Sequence, residues 1–157
     1  MNQVLFICTG NYYRSRYAEI LFNHTASEYG LGWTSFSRGF QESNREAPIS
    51  LHTLTRLDQK GILLNQVRFP IQLNAADMAL AHRIILMDEQ EHKPMLLSEY
   101  PEWSNHVDYW NIQDVDFEQP VTALERLERK VDLLIGSLET ENNQFLWNDN
   151  HLKVKFS

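Results

Sequence analysis

The stretch VLFICTGNYYRS, residues 4–15, decides the fold of this chain. Its first four residues are a short apolar run, which is typical of a strand buried on both faces of a parallel sheet. After Ser15 the apolar residues recur at helical spacing, and Gly30 follows at the position of a left-handed C-terminal cap. The sequence therefore predicts a strand, a tight loop and a helix at the start of the chain.

The rest of the chain continues this alternation. Further strands are predicted at 33–37, 84–87 and 107–110, and further helices after Pro48, Asn74 and Asp88 and over about 120–139. Strands that alternate with helices predict one α/β domain over residues 1–139, a three-layer arrangement in which helices flank a four-stranded, mostly parallel sheet. In such sheets ligands bind beyond the carboxyl ends of the strands, and Cys8 lies at such an end.

Residues 140–157 are predicted to form a C-terminal extension. An Asn148-Asp149-Asn150 turn signal precedes a segment, 152–156, in which apolar residues alternate with lysines, and this pattern favours a hairpin. The segment could complete the sheet or pair with a second copy of the chain, so the oligomeric state stays open. No role is assigned to it.

The composition argues against several classes of protein. The 157 residues carry 14 Lys+Arg against 21 Asp+Glu, a net charge of -7, so we expect no nucleic-acid partner. No apolar run approaches the roughly 18 residues of a membrane span, so we expect no membrane partner. The early run at 4–7 is also too short for the core of a signal peptide, so we expect no export.

Cys8 is the single cysteine of the chain. It therefore cannot form an internal disulfide or contribute to a cysteine-rich zinc cluster. A chain with one unpaired cysteine also indicates a reducing compartment. His82, His92 and His106 have no metal-ligand spacing and are interpreted as surface or core residues. We expect no metal site.

The loop between Cys8 and Arg14 has a length that suits an anion-binding cradle. Five residues can curl their backbone N–H groups inward, and the next helix directs the positive end of its dipole to the same place. Gly10 and Asn11 tolerate the left-handed backbone that this curl requires. Arg14 adds a planar guanidinium that matches two phosphate oxygens. The residues predicted to bind phosphate are Thr9, Gly10, Asn11, Tyr12, Tyr13 and Arg14.

The positive end of the helix dipole and the charge of Arg14 also favour the ionised form of the Cys8 thiol, because helix N-termini and nearby cations stabilise thiolates. A thiolate at the floor of a phosphate cradle is a nucleophile directed at phosphorus. Ser15 can donate a hydrogen bond to the sulfur when it attacks and again when it leaves. The alternative, an inert buried cysteine beside an ordinary surface Arg14, explains this combination of residues less well.

This signature resembles that of the low-molecular-weight protein tyrosine phosphatases, in which an apolar strand precedes C-x5-R-S and a helix with an Ala-Glu pair. Here C-x5-R-S is Cys8–Ser15 and the pair is Ala18-Glu19, and weaker similarity extends over about 2–138. The resemblance implies a cytoplasmic enzyme that uses no metal or other cofactor. It implies that Cys8 attacks the phosphoryl group while Arg14 and the loop amides hold its oxygens, and that water then hydrolyses the phosphocysteine. The implied substrates are phosphotyrosine proteins or small aryl phosphates.

The resemblance also implies an aspartate general acid, usually in an Asp-Pro pair of a late loop. Here residues 110–117 read WNIQDVDF, without the proline. Asp114 fits the family spacing after Trp110 better, and Asp116 is the alternative acid. Either aspartate could instead cap the next helix or face solvent.

Several residues depart from the family pattern or await a role. Tyr13 replaces a second cysteine that in many members traps the nucleophile as a disulfide, so this protection is not expected here. Arg16 replaces a common proline and either adds positive charge near the mouth of the site or faces solvent. Four aromatic residues are candidates for a rim that stacks on a substrate ring, although each also fits simple packing: Tyr12, Phe40, Trp110 and Phe117.

Two other functions stay open beside a phosphomonoester hydrolase of the protein tyrosine phosphatase type. An arsenate reductase uses this fold and loop but resolves its adduct with further cysteines, so only a version assisted by glutathione or a partner is compatible with Cys8 alone. A non-catalytic module would bind phosphate or a phosphoprotein without turnover. The thiolate argues against such a module, because it would repel the bound anion.

Overall fold

The computed structural model describes the backbone of residues 1–155 and the side chains of residues 1–144 and 147–148. Strands and helices alternate along most of the chain. They are β1 (Asn2–Cys8), α1 (Arg14–Glu28), β2 (Trp33–Gly39), α2 (Leu51–Gln59), α3 (Ala75–Leu80), β3 (Arg83–Leu86), α4 (Glu89–Glu99), a 3-10 turn (Pro101–Trp103), β4 (Asp108–Tyr109) and α5 (Pro120–Lys155).

The four strands form one parallel sheet in the order β2-β1-β3-β4. β1 lies inside the sheet, and its pairing with β2 aligns Cys8 with Gly39. Its apolar residues 4–7 are fully buried because helices cover both faces of the sheet. The predicted α/β fold with a four-stranded parallel sheet and a loop after the first strand is therefore confirmed.

Two apolar clusters separate the sheet from the helices on its two sides. Successive side chains of a strand point to opposite faces. Val4 and Phe6 accordingly pack with buried residues of α1 and α5, whereas Leu5 and Ile7 pack with buried residues of α3 and α4. The end of β1 is thus held from both sides, which fixes the position of the loop that follows it.

α3 and α4 begin with polar caps. Asp77 N–H donates to Asn74 Oδ1 and Asn74 N–H donates to Asp77 Oδ2, both at 3.0 Å, which completes the predicted cap of α3 as a capping box. At α4 the Asp88 side chain accepts from Glu91 N–H at 3.1 Å. The Glu91 side chain does not return this bond, because Asp88 N–H donates to His92 Nδ1 at 3.0 Å. Glu91 turns towards the loop after β1 instead.

The structure differs from the hairpin predicted for 140–157, because α5 continues as a helix of 36 residues to Lys155. No glycine or proline follows Gly136, so the sequence contains no strong signal to end the helix near residue 139. The alternation at 152–156 is too short to outweigh the continuing helix. Phe156, the last apolar residue of the predicted hairpin, lies outside the described residues.

Two contacts bind residues just beyond 139 to the rest of the domain. The Asn142 side-chain amide donates to the Leu31 carbonyl at 3.2 Å, and Glu141 forms an ion pair with Arg83. Although α5 is long, no helix within residues 1–155 combines the length and the apolar character needed to cross a membrane.

Candidate active site

The loop after β1 is curled at the carboxyl edge of the sheet. Cys8 is the last residue of β1 and Arg14 is the first residue of α1. Asn11 has a φ of 50°, the left-handed conformation that the sequence predicts for this loop and that asparagine tolerates. The loop therefore reverses the chain between the nucleophile candidate and the arginine candidate.

Most carbonyl groups of this loop are held from outside. The carbonyls of Cys8, Thr9, Tyr12 and Tyr13 accept hydrogen bonds, in that order, from Phe40 N, Gln41 N, Ser50 N and Thr53 Oγ1, at 2.9 to 3.1 Å. The C=O and N–H of a trans peptide point in opposite directions, so the amides that follow these carbonyls are turned towards the inside of the curl. Among residues 1–155, the N–H groups of 9–13 have no protein acceptor. The inside of the loop is thus a set of donors that fits an oxyanion.

The Cys8 sulfur lies 2.9 Å from Ser15 Oγ, and both residues are buried. Asn11 Nδ2 donates to Ser15 Oγ at 2.9 Å, so the hydroxyl hydrogen of Ser15 is free to bind the sulfur. Asn11 Oδ1 in turn accepts from Arg68 Nη1 at 2.9 Å and from Ile71 N–H at 3.0 Å. Ser15 is therefore oriented as a hydrogen-bond donor to a thiolate.

Arg14 is buried at the start of α1 and its guanidinium is fixed on one side. Nη1 donates to the Ile112 carbonyl at 2.8 Å and Nη2 donates to Glu91 Oε2 at 2.6 Å. Burial alone would lower the pKa of Arg14, but the electrostatic interactions with Cys8, Glu91 and Asp114 outweigh burial and raise the pKa. Arg14 Nε and one hydrogen on each Nη are left for a phosphate.

Glu91 connects α4 to the site, and the sequence contains no signal for this connection. Its Oε2 accepts from Thr9 Oγ1 at 2.6 Å and lies 2.7 Å from Nε2 of the buried His92. Because His92 Nδ1 accepts from Asp88 N–H, Nε2 carries the hydrogen that is donated to Glu91. Burial alone would raise the pKa of Glu91, but the bonds from His92, Arg14 and Thr9 hold it well below its usual value. Glu91 is therefore ionised near neutral pH, and its carboxylate orients Arg14 and Thr9.

Of the two aspartates, the structure brings Asp114 to the site. Asp114 Oδ2 lies 3.7 Å from Arg14 Nη2, and 41% of the Asp114 side chain is exposed. Asp116 is exposed and has no ion pair with any described residue. Asp114 thus combines proximity to Arg14 with access to solvent and substrate.

The aromatic rim is only partly present. Tyr12 is half-buried, and the Arg45 guanidinium lies 4.0 Å from the centre of its ring. Phe117 is 77% exposed and lines a cavity beside Glu91. Phe40 and Trp110 are core residues, at 1% and 7% exposure, so they are not available for a rim. They face inward because Phe40 packs on His92 and Trp110 packs on Phe6.

Tyr13 and Arg16 are both buried. Burial raises the pKa of Tyr13 to about 12, and its hydroxyl has no partner among the described residues. Tyr13 lines a cavity of about 250 Å³ that also includes Asp114 and Arg45. Arg16 does not face solvent, contrary to one of the two interpretations from the sequence. It is buried because its guanidinium hydrogen-bonds to three carbonyl groups.

Gly39, the last residue of β2, is a further site residue. A Cβ at this position would lie 2.8 Å from Thr9 O and 2.9 Å from Asn11 N. Three more supporting residues lie nearby, since Arg68 Nη2 donates to Ser37 Oγ at 3.0 Å and pairs with Glu19 at 3.1 Å. The sequence contains no signal for these contacts, because the residues lie far apart along the chain.

The site can hold a tetrahedral oxyanion over a sulfur atom. Within the described side chains, no group of three or more His, Cys, Asp or Glu residues is arranged to bind a metal ion. The positive charge at the site comes from Arg14 and from the N-terminus of α1, and the Cys8 sulfur is the candidate nucleophile.

Comparison with known proteins identifies relatives of this arrangement. A family model described as low molecular weight phosphotyrosine protein phosphatase matches residues 3–152. A protein-arginine-phosphatase of Bacillus subtilis (strain 168) is 32% identical over 108 residues, which cover 66% of this chain and 67% of that protein.

Solved structures agree with this match. YfkJ from Bacillus subtilis superposes with a TM-score of 0.80 and 22% identity, covering 90% of this chain and 96% of that chain, which supports the fold. A mutant of the YwlE arginine phosphatase with a phosphorylated active-site serine has a TM-score of 0.73 and 25% identity. That match covers 87% of this chain and 95% of the mutant chain.

Proposed function

Because the chain belongs to the low molecular weight phosphotyrosine protein phosphatase family, we propose that it hydrolyses phosphorylated proteins through a phosphocysteine at Cys8. One observation carries the proposal. The Cys8 sulfur lies beneath inward-facing amides, 2.9 Å from a hydroxyl donor, and buried Arg14 begins the next helix. A sulfur anion in such a place has little use in a protein that only binds phosphate.

In the first step the Cys8 sulfur attacks phosphorus in line, and the bond from phosphorus to the leaving atom breaks. Arg14 and the loop amides hold the three equatorial oxygens, whose charge they stabilise without rearrangement. Asp114 gives its proton to the leaving atom, a role supported by its position 3.7 Å from Arg14. Asp116 is the alternative acid, but it is exposed and lacks a contact with Arg14.

In the second step water attacks the phosphocysteine and the bond between sulfur and phosphorus breaks. The carboxylate of Asp114 accepts a proton from that water, which returns the acid to its starting form. Ser15 donates to the departing sulfur, as its hydrogen bond from Asn11 allows. Phosphate leaves, and no metal or redox partner takes part in either step.

The preferred substrate is proposed to be a phosphotyrosine protein or a small aryl phosphate. Tyr12 and Phe117 are the accessible aromatic residues of the candidate rim, and a phenyl ring could stack on them. Phosphoarginine proteins are the second candidate, because a relative of 32% identity is named a protein-arginine-phosphatase. The partly exposed Asp114 carboxylate could also attract the positively charged guanidinium of such a substrate.

The test compares hydrolysis of a phosphotyrosine peptide and a phosphoarginine peptide of otherwise identical sequence, in the presence of a metal chelator. We expect the wild-type chain to release phosphate from at least one peptide. We expect Cys8→Ser to release phosphate from neither peptide at a rate comparable to that of the wild type. The ratio of the two kcat/KM values then identifies the substrate class. Hydrolysis that survives Cys8→Ser would contradict the mechanism.

The same preparation separates the two competing functions. Binding of the phosphopeptide without phosphate release would indicate a phosphoprotein-binding module. Reduction of arsenate that depends on glutathione or a partner thiol, without phosphatase activity, would indicate an arsenate reductase. A cytoplasmic location, the absence of nucleic-acid and membrane partners and the separate status of residues 140–157 remain proposals from the sequence.

A further inference from the structure

Arg16 lies in the first turn of α1, yet only 2% of the residue is exposed. Its Nη1 donates to the Pro48 carbonyl at 3.0 Å and to the Asn11 carbonyl at 3.4 Å. Its Nη2 donates to the Arg68 carbonyl at 2.8 Å. One guanidinium therefore joins three segments that are distant in sequence: the phosphate loop, the segment before α2 and the segment before α3.

The bond to Asn11 has a consequence for the next amide. A trans peptide directs its N–H away from its C=O, so a carbonyl held towards Arg16 turns Tyr12 N–H to the opposite side, into the curl. Four other carbonyls of the loop, those of Cys8, Thr9, Tyr12 and Tyr13, are held by backbone amides or by Thr53. Among the described residues, Arg16 is the partner of the Asn11 carbonyl.

A second arginine holds the side chain of the same residue, since Arg68 Nη1 donates to Asn11 Oδ1 at 2.9 Å. Arg16 and Arg68 thus fix the main chain and the side chain of the left-handed Asn11 together. Asparagine tolerates the left-handed conformation, and these two contacts hold it in place at Asn11.

Packing alone does not account for an arginine here. Burial and the charge of nearby Arg68 together lower the pKa of Arg16 to about 10, although Glu19 and Cys8 act in the opposite sense. The Arg16 Nε is buried without an acceptor among the described residues. A buried guanidinium in these surroundings is costly, and an apolar side chain of similar length would fill the same space.

We propose that Arg16 is a positioning residue of the phosphatase site, which orients the Asn11–Tyr12 peptide so that Tyr12 N–H donates to an oxygen of the transferring phosphoryl group. The inference deepens the proposed function and rests on it. Arg16 does not touch the substrate. Its effect is largest in the transition state, where the phosphoryl oxygens carry the charge that the loop amides stabilise.

The test replaces the guanidinium with an apolar side chain of similar length, Arg16→Met. Vanadate binding by calorimetry reports the transition-state geometry without turnover, and kcat is expressed per folded molecule, as counted from the unfolding curve of each variant, so that unfolded molecules do not count. We expect vanadate affinity and kcat on an aryl phosphate each to fall about 10- to 100-fold, while KM changes little. Loss of packing alone would lower the melting temperature without this divergence of kcat from KM.

Arg56→Met is the matched control. Arg56 Nε donates to Glu128 Oε1 at 2.6 Å and joins α2 to α5 without contacting the phosphate loop. We expect this variant to lose stability but to keep the vanadate affinity and kcat of the wild type. If Arg16→Met does not fold, Arg16→Lys takes its place, since lysine keeps the charge but lacks the planar fork that spans the carbonyls.

The proposal is overturned if a folded Arg16 variant binds vanadate and turns over substrate within about twofold of the wild type. It is also overturned if the wild type binds no vanadate. If the wild type binds vanadate in an Arg16-dependent manner but releases no phosphate from any substrate, the proposed function fails while the inference on loop geometry stands. If the wild type is active and Arg16→Met is unaffected, the inference on loop geometry fails while the proposed function stands.

Discussion

Gly39 leaves no room for a side chain between β2 and the phosphate loop. A Cβ there would approach Thr9 O to 2.8 Å and Asn11 N to 2.9 Å, both closer than real contacts allow. Both neighbours are backbone atoms, so they cannot move aside by a change of rotamer. The absence of a side chain at this one residue is therefore a condition for the shape of the cradle.

Gly39→Ala should consequently displace the phosphate loop. We expect kcat/KM on an aryl phosphate to fall about tenfold or more and the unfolding free energy to fall by about 1–3 kcal/mol. Gly136→Ala is the control, because a Cβ at Gly136 would meet nothing within 4 Å and alanine is the better helix former. Urea denaturation and steady-state kinetics measure both effects. An active, stable Gly39→Ala variant would show that the loop does not need this close approach.

The segment between β4 and α5 carries Asp114 and is anchored from α5. Arg126 Nη2 donates to the Asn111 carbonyl at 2.6 Å, and Arg126 Nη1 donates to Glu118 Oε2 at 2.7 Å. The Asp114 carbonyl accepts from the amides of Phe117 and Glu118, at 2.9 and 3.0 Å. The segment is thus a fixed turn, which presents Asp114 to Arg14.

The two aspartates of this segment should therefore differ in their effect on catalysis. We expect Asp114→Asn to lower kcat by about 10²- to 10⁴-fold for poor leaving groups and much less for good ones, because protonation matters most when the leaving group is basic. Asp116→Asn should change kcat neither for poor leaving groups nor for good ones. A series of aryl phosphates of different leaving-group basicity provides the measurement. The assignment of the acid fails if the effect of Asp114→Asn is independent of the leaving group.

At the scale of the whole molecule, Glu91 couples folding to the charge of the site. Its carboxylate joins α4 to Arg14 at the start of α1 and to Thr9 of the loop. Its pKa is held below the usual value of 4.5, so the folded protein binds fewer protons than the unfolded chain as the pH falls below that value. This part of the stability is present above about pH 4.5 and is lost as the pH falls through the lower pKa of the folded state.

Glu91→Gln should lower the unfolding free energy near neutral pH and make its decline in acid less steep, because the ionised partner of Arg14 is gone. Urea denaturation at several values between about pH 7 and about pH 3 tests both statements. Glu89→Gln is the matched control on the same helix, since the exposed Glu89 has Lys93, at 3.5 Å, as its one ion-pair partner among the described side chains. Equal slopes for wild type and Glu91→Gln would mean that Glu91 does not carry this linkage.

Much of the architecture was accessible from local sequence patterns. The apolar run at β1, the curl at Asn11 and the cap at Asn74 follow from the preferences of the residues themselves, and these predictions agree with the structure. The prediction of a hairpin in the last segment was wrong because a short alternation was given more weight than the lack of any helix-ending residue. The contacts of Glu91 and Arg16 could not be predicted, because they bridge distant segments and only the folded chain brings those segments together.

The most direct test of the central claim is to trap the covalent intermediate. Wild-type chain is mixed with an excess of aryl phosphate, quenched in acid within the first turnovers, digested and analysed by mass spectrometry. The account predicts one added phosphoryl group on the peptide that contains Cys8, and none in Cys8→Ala. A phosphoryl group on another peptide, or continued phosphate release with no phosphorylated peptide and no initial burst, would contradict it.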